Sequence, residues 1–179
     1  MRIRVFKYLS PVSIFVLAWV SFTHTSWFTW LPMLYAWMFI PLLEIFLHPD
    51  TSNMSAAEEE IARKNRVYDY LLYLIVILQY GALIYFMFSM TQTGLLWWEK
   101  LGRIMSMGLL CGTFGINVAH ELGHRSNKYE QFMAKALLAT SLYMHFFIEH
   151  NKGHHKNVAT PEDPSSARYN EPVYTFFLR

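Results

Sequence analysis

A single cysteine, Cys111, occurs among 179 residues. A lone thiol excludes an internal disulfide framework and any multi-cysteine zinc or iron–sulfur site, and its apolar surroundings mark it as core. Charge is scarce too. Asp, Glu, Lys and Arg make up 16% of the chain, against about 25% in soluble domains. None of the four occurs from Tyr8 to Leu43 or from Tyr70 to Trp98, and runs of that length exceed the roughly 20 residues that cross a bilayer as a helix. The net charge of +2 is too small to argue for nucleic acid. Internal repeats, low-complexity tracts and a glycine-rich phosphate loop are absent. What is present is apolar, 54% hydrophobic and 17% aromatic, so the expected fold class is an all-α integral membrane protein.

The spacing predicts four transmembrane helices, near 8–27, 28–47, 70–90 and 101–119, with a tight turn near 23–30 joining the first two. The N-terminal Met-Arg-Ile-Arg-Val-Phe-Lys could open a signal peptide, but the apolar region after it is too long and lacks a small-residue cleavage site. Arg2, Arg4 and Lys7 instead place the N-terminus in the cytoplasm, and Arg63, Lys64 and Arg66 bring the 48–69 loop back to that face. Trp97 and Trp98 suit the opposite interface. Pro32 and Pro41 are tolerable within a membrane helix. Within the loop, Ser55-Ala-Ala-Glu58 reads as a capping box opening a short helix, with Glu59/Arg63 and Glu60/Lys64 in the favourable order for pairs four apart. This is a solvated connecting helix or, alternatively, a docking surface. Glu44 lies close enough to the end of the second span to reach the interface. The organisation expected is therefore two spans in 1–47, a cytoplasmic loop helix in 48–69, two more spans in 70–119, and a cytoplasmic histidine-rich region in 120–179. From Asn157 onward Pro161, Pro164 and Pro172 punctuate a loop-rich segment.

Five of the eight histidines fall in two groups, His120-Glu-Leu-Gly-His124 and His150-Asn-Lys-Gly-His154-His155. Helical residues four apart share a face, so His120 and His124 can grip one ion, as can His150 and His154. His155, about 100° further round, suits a second ion. Ligation uses a neutral imidazole nitrogen and leaves the other to be hydrogen-bonded; Glu121, Glu149, Asn151, Glu162 and Asp163 are the acceptors nearby. His24 and His48 read as interfacial, and His145 as packing rather than ligation. His120 ends a span, so the second group must return to the same face. The apolar run after it, 131–148, is therefore an embedded or interfacial helix rather than a fifth crossing.

Imidazole-rich ligation suits iron, copper, nickel or zinc over magnesium or calcium. His120-Glu121-Leu122-Gly123-His124 is formally an H-E-x-x-H zinc motif, with Glu121 as general base, and is similar to that of the intramembrane site-two proteases. That reading leaves His150, His154 and His155 without a use and lacks the aspartate ligand in a later membrane helix. The two boxes together with Val158-Ala-Thr-Pro-Glu-Asp-Pro164 resemble instead the membrane-bound alkane monooxygenases, within the fatty-acid desaturase and hydroxylase superfamily. The match runs from Asn117 to about Tyr174.

The resemblance implies a bundle of six membrane helices in the parent protein, of which four lie here, in a bacterial inner membrane with the metal site on the cytoplasmic side. It implies His120, His124, His150, His154 and His155 as ligands of two non-haem irons, O2 as co-substrate, and terminal hydroxylation of a linear alkane drawn from lipid. It further implies rubredoxin, reduced by an NAD(P)H-dependent rubredoxin reductase, as electron donor. Five histidines do not fill the coordination of two irons. The sequence thus reads as the N-terminal part of a longer protein, and the stretch alone is expected to be inactive. Related hydroxylases of alkyl aromatics, acyl-chain desaturases and a non-enzymatic metal sensor or transporter are the rival readings. Trp19, Phe39, Phe86 and Phe114 are candidates to close a substrate cavity, or simply packing residues.

Overall fold

The computed structural model describes residues 9, 11–47 and 53–178, and among these there is no strand. Its helices are α1 (Val12–Thr23), α2 (Ser26–Phe46), α3 (Ala56–Arg63), α4 (Val67–Met90), α5 (Trp97–Gly123), α6 (Lys128–Ala139), α7 (146–157) and α8 (Val173–Leu178). Three of them, α2, α4 and α5, are long and apolar enough to cross a membrane. The 12 residues of α1 cover only about 18 Å at 1.5 Å per residue, short of the roughly 30 Å hydrocarbon core. Of four expected spans, three thus reach full length among the described residues, and the first is represented by a shorter apolar helix. The chain is an integral membrane protein.

Local sequence accounts for the irregular stretches. The turn between α1 and α2 runs through extended backbone at His24 and Thr25 and a left-handed Ser26 with φ +61°. Pro41 has no N–H to offer the carbonyl one turn back and crowds it. The π-helical turn Tyr35–Phe39 lies just ahead of Pro41 and absorbs the mismatch. Ser55 caps α3 as expected, its hydroxyl accepting from Glu58 N while Glu58 Oε2 accepts from Ser55 N at 3.0 Å. Lys64 pairs with Glu60 at 2.7 Å. His48 and the side chain of Arg63 lie outside the described residues.

Two apolar clusters hold the bundle. Phe15, Ala18 and Phe22 of α1 pack with Ile75 of α4 and Met107, Leu110 and Phe114 of α5. Ala119 and Leu122 of α5 pack with Ala134, Leu137 and Leu138 of α6. The first cluster ends in a buried polar clasp. Arg103, fully buried, donates to the carbonyls of Ser89 (2.6 Å) and His24 (2.9 Å) and to Gln92 Oε1 (2.9 Å). Glu99 accepts from the backbone N–H of Leu96 at 2.8 Å and from that of Ser26. Ser21 donates to the Thr29 carbonyl at 2.7 Å, and Ser106 to the same oxygen at 3.0 Å. Gly102 permits this approach, because a Cβ there would lie 2.6 Å from Thr29 Oγ1 and 2.8 Å from Trp30 Nε1.

The second cluster supports the segment expected as one helix over 131–148, and here the structure differs. The helix stops at Ala139, and a second begins at Phe146. The Thr140 and Ser141 hydroxyls take the carbonyls of Leu137 (2.6 Å) and Leu138 (3.1 Å), which competes with helix continuation. Leu142 then adopts φ +56° and turns the chain. At this turn Gln79 Nε2 donates to Thr140 Oγ1 at 3.4 Å, and Cys111 Sγ lies 3.5 Å from the Thr140 carbonyl. Cys111 is roughly 13 Å along α5 from His120. The 128–157 stretch is therefore a helical hairpin that dips beside α5 and returns.

Candidate metal centre

The returning arm brings the second histidine group to the first. Nε2 of His124 lies 3.0 Å from Nε2 of His120 and 3.3 Å from that of His150, which lies 3.0 Å from Nε2 of His155. All four ligand nitrogens fall within 4.8 Å of one another. Each neutral imidazole Nε2 carries either one proton or one lone pair. Three contacts in a row therefore cannot all be hydrogen bonds, since His124 and His150 each sit in two. A cation satisfies all four lone pairs at once. Tetrahedral ligands at about 2.0–2.1 Å from a metal stand about 3.3 Å apart, close to the observed spacings.

The protonation states agree with ligation. Burial, followed by the proximity of His120 and His155, pushes the His150 pKa down to about 4. The same causes lower that of His124. Both rings are neutral at pH 7, the form that binds metal.

The pairing within the second group differs from the helical expectation. His155, not His154, joins His150 in the set. The reason is the π-helical turn Glu149–His154: its i→i+5 hydrogen bonding brings residues five apart toward one face. A second π-helical turn, Cys111–Ile116, precedes His120 in α5. π-Turns cluster at functional sites, yet nothing in residue spacing announces them.

His154 lies beside the set, its ring stacked on His150 with centroids 5.5 Å apart. Its Nδ1 lies 2.8 Å from Oδ2 of Asp163. Asp163 is almost wholly buried and also accepts from the Ser166 hydroxyl (2.6 Å) and Ser165 N (2.9 Å). The Ser166 hydroxyl above all, with Ser165 N and His154, holds its carboxyl below the usual range. An ionised Asp163 fixes the proton on His154 Nδ1 and leaves the Nε2 lone pair available. The other proposed acceptors are placed differently. Asn151 donates to the Phe147 carbonyl at 2.9 Å, Glu121 lies 3.6 Å from Arg125, and Glu149 and Glu162 are exposed. His145 packs edge-on against Tyr143, and His24 lies beside Phe28 at the far end of the bundle.

An apolar cavity of about 330 Å³ lies between α1, α4 and α5, walled by Val12, Leu71, Ile75, Phe114 and Val118. Glu121 and Arg125 form its polar rim, and none of the five box histidines lines it. Of the four bulky residues considered as stops, Phe114 faces this cavity. Trp19 stacks on Tyr85, Phe39 on Tyr35, and Phe86 packs against Phe22.

Residues 95–179 match the family model "Fatty acid desaturase". The chain is 38% identical over 159 residues to "Alkane 1-monooxygenase 1" of Alcanivorax borkumensis, covering 88% of this chain and 39% of that protein. It is 40% identical over 140 residues to the alkane 1-monooxygenase of Pseudomonas putida (78% and 35%), and 36% identical over 173 residues to that of Ectopseudomonas oleovorans (96% and 43%). The chain is a relative of these monooxygenases. It spans about two fifths of their length. The relatives and the four-histidine set together point to non-haem iron.

Proposed function

We propose that these residues form the N-terminal part of a non-haem di-iron monooxygenase that hydroxylates the terminal carbon of linear alkanes to primary alcohols. The observation that carries the reading is the convergence of four imidazole nitrogens at the end of a membrane helix, in a relative of alkane 1-monooxygenases. His120, His124, His150 and His155 would hold one iron. His154, oriented by Asp163, would serve a second, whose remaining ligands these five histidines cannot supply. Iron held by these histidines would supply the oxidising power that an unactivated C–H bond requires, since such a bond offers no foothold for an acid, base or nucleophile.

The chain's own residues set up the conditions for that chemistry. The His124 and His150 rings stay neutral, and Asp163 fixes the His154 tautomer. An alkane has no polar handle, so burial of its CH₂ groups, at about 0.8 kcal/mol each, must supply its binding. The cavity bounded by Phe114 offers such a surface from the lipid side. We place the site at the cytoplasmic face of a bacterial inner membrane, with α1 as the fourth membrane segment and rubredoxin, served by an NAD(P)H-dependent reductase, delivering electrons.

The test is metal and product analysis of the parent protein. Close to two irons per chain and 1-octanol from octane support the reading. One zinc per chain, with activity lost in Glu121→Gln and kept in His155→Ala, would indicate a metalloprotease instead. Alcohols from xylene, or unsaturated acyl chains, would redirect the substrate class.

A further inference from the structure

One residue beside the histidine set has a geometry that neither its spacing nor its type foretold. Arg125 directly follows His124. Its Nη1 lies 2.6 Å from Oδ1 of Asp69 on α4 and 2.7 Å from Oε1 of Glu130 on α6. Its Nη2 lies 3.6 Å from Glu121, one turn back along α5. Its backbone carbonyl accepts from Gln131 Nε2 at 2.8 Å. Glu130 is buried and also accepts from the Tyr73 hydroxyl at 2.7 Å. One guanidinium thus ties three helices together at the level where His120 and His124 leave α5, and the hairpin carrying His150 and His155 is anchored through α6.

We propose that Arg125 is a positioning residue for the histidine set, holding α4, α5 and α6 in the register at which the four Nε2 atoms meet. The planar fork matters, because one nitrogen serves two carboxylates while the other faces a third. Three carboxylates around one cation leave the junction negative. Without the guanidinium, Asp69 and Glu130 would face each other across a partly buried gap and push α4 and α6 apart. The α6–α7 hairpin would shift with α6, and His150 and His155 would move relative to His120 and His124.

This inference rests on the reading of the histidines as metal ligands, and the two can be tested separately. The full chain in detergent is titrated with Co²⁺, recording affinity against a competing chelator and the visible ligand-field spectrum, while circular dichroism follows helix content. Arg125→Ala is expected to keep its helix content, lose at least tenfold in affinity and change the spectrum. Arg125→Lys, which keeps the charge but not the fork, should recover part of both. Should Arg125→Ala fail to fold, Arg125→Lys decides, and there the expected loss is several-fold with an altered spectrum. Wild-type affinity and spectrum in the folded variants would overturn the role of Arg125 alone. Equal Co²⁺ binding by the wild type and His120→Ala would overturn the metal reading and the inference with it.

Discussion

The two ends of α5 each gather polar groups, buried at the Arg103 end and half-buried to exposed at the histidine end, and resolve them in opposite ways. At the Arg103 end donors meet acceptors: the guanidinium faces two carbonyls and an amide oxygen, and Glu99 faces two backbone N–H groups. At the histidine end like meets like, with four lone-pair nitrogens turned toward one another. The first arrangement is met by the protein's own acceptors, save for Arg103 Nε and the nearby Trp30 Nε1, which are buried without a partner, and it serves packing. The second is complete only with a cation, and the free energy of binding one would add to that of folding.

That contrast is broken most directly at His150, whose Nε2 sits in two of the three close contacts. His150→Ala is expected to abolish stoichiometric iron binding and, in the parent protein, hydroxylation, with helix content unchanged. His24→Ala, at the other end, should leave both nearly intact. Iron analysis and product yield check the pair. Retained stoichiometric iron in His150→Ala would mean that the four-nitrogen set is not the site.

Arg103→Ala makes the complementary test. It strands the buried Ser89 carbonyl and removes the bonds to the His24 carbonyl and Gln92 Oε1 on exposed residues, and the expected loss of stability is about 3 kcal/mol, judged from buried-charge deletions and interhelical bonds in membranes. Iron affinity of the folded fraction should not change. Unfolding titrated in a denaturing detergent, with iron affinity measured alongside, checks it. An equal loss in both would show that the two ends are coupled.

Asp163→Asn sharpens the comparison within the histidine end. The amide still accepts from His154 but no longer stabilises the ring electrostatically, and a loss of 10–100-fold in activity or metal affinity is expected. Spacing singled out residues 120, 124, 150, 154 and 155, and the structure gathers four of them, 120, 124, 150 and 155, into one cluster. Asp163 was one of five acceptors, and sequence could not single it out, because a burial arranged by Ser165 and Ser166 in an irregular loop has no periodicity. The same limit explains the pairing of His150 with His155. An α-helical ruler groups 150 with 154, and only the π-turn, a backbone feature without a residue signature, groups 150 with 155. The chargeless runs made the membrane spans readable. The break at Thr140–Leu142 was not, since hydroxyls competing for carbonyls occur in continuous membrane helices as well. The Arg103 clasp and the Arg125 junction escaped for a third reason: partners such as Ser89, His24 and Asp69 are set by helix packing rather than by sequence proximity.

Gly102→Ala tests how tightly the Arg103 end is closed. The added methyl would meet the Thr29 hydroxyl and the Trp30 ring at under 3 Å, and overpacking of this kind costs about 1–3 kcal/mol. The detergent-unfolding midpoint should fall, with no change in iron affinity. An unchanged midpoint would mean that the start of α2 gives way without penalty.

The smallest effect is expected at Lys64. Its contact with Glu60 is 2.7 Å, the same length as that between Arg125 and Glu130, so distance alone ranks the two pairs as equals. Exposure separates them. The Lys64 and Glu60 side chains are 76% and 70% exposed, against 26% and 9% for Arg125 and Glu130. Water and salt screen the first pair, and such helix-surface pairs contribute about 0.3–0.5 kcal/mol. Lys64→Ala should therefore shift the unfolding midpoint by no more than that and leave Co²⁺ affinity and spectrum as in the wild type. A loss of affinity matching that of Arg125→Lys would show that removing any cation near these helices has the same effect, and that the buried fork of Arg125 has no special place.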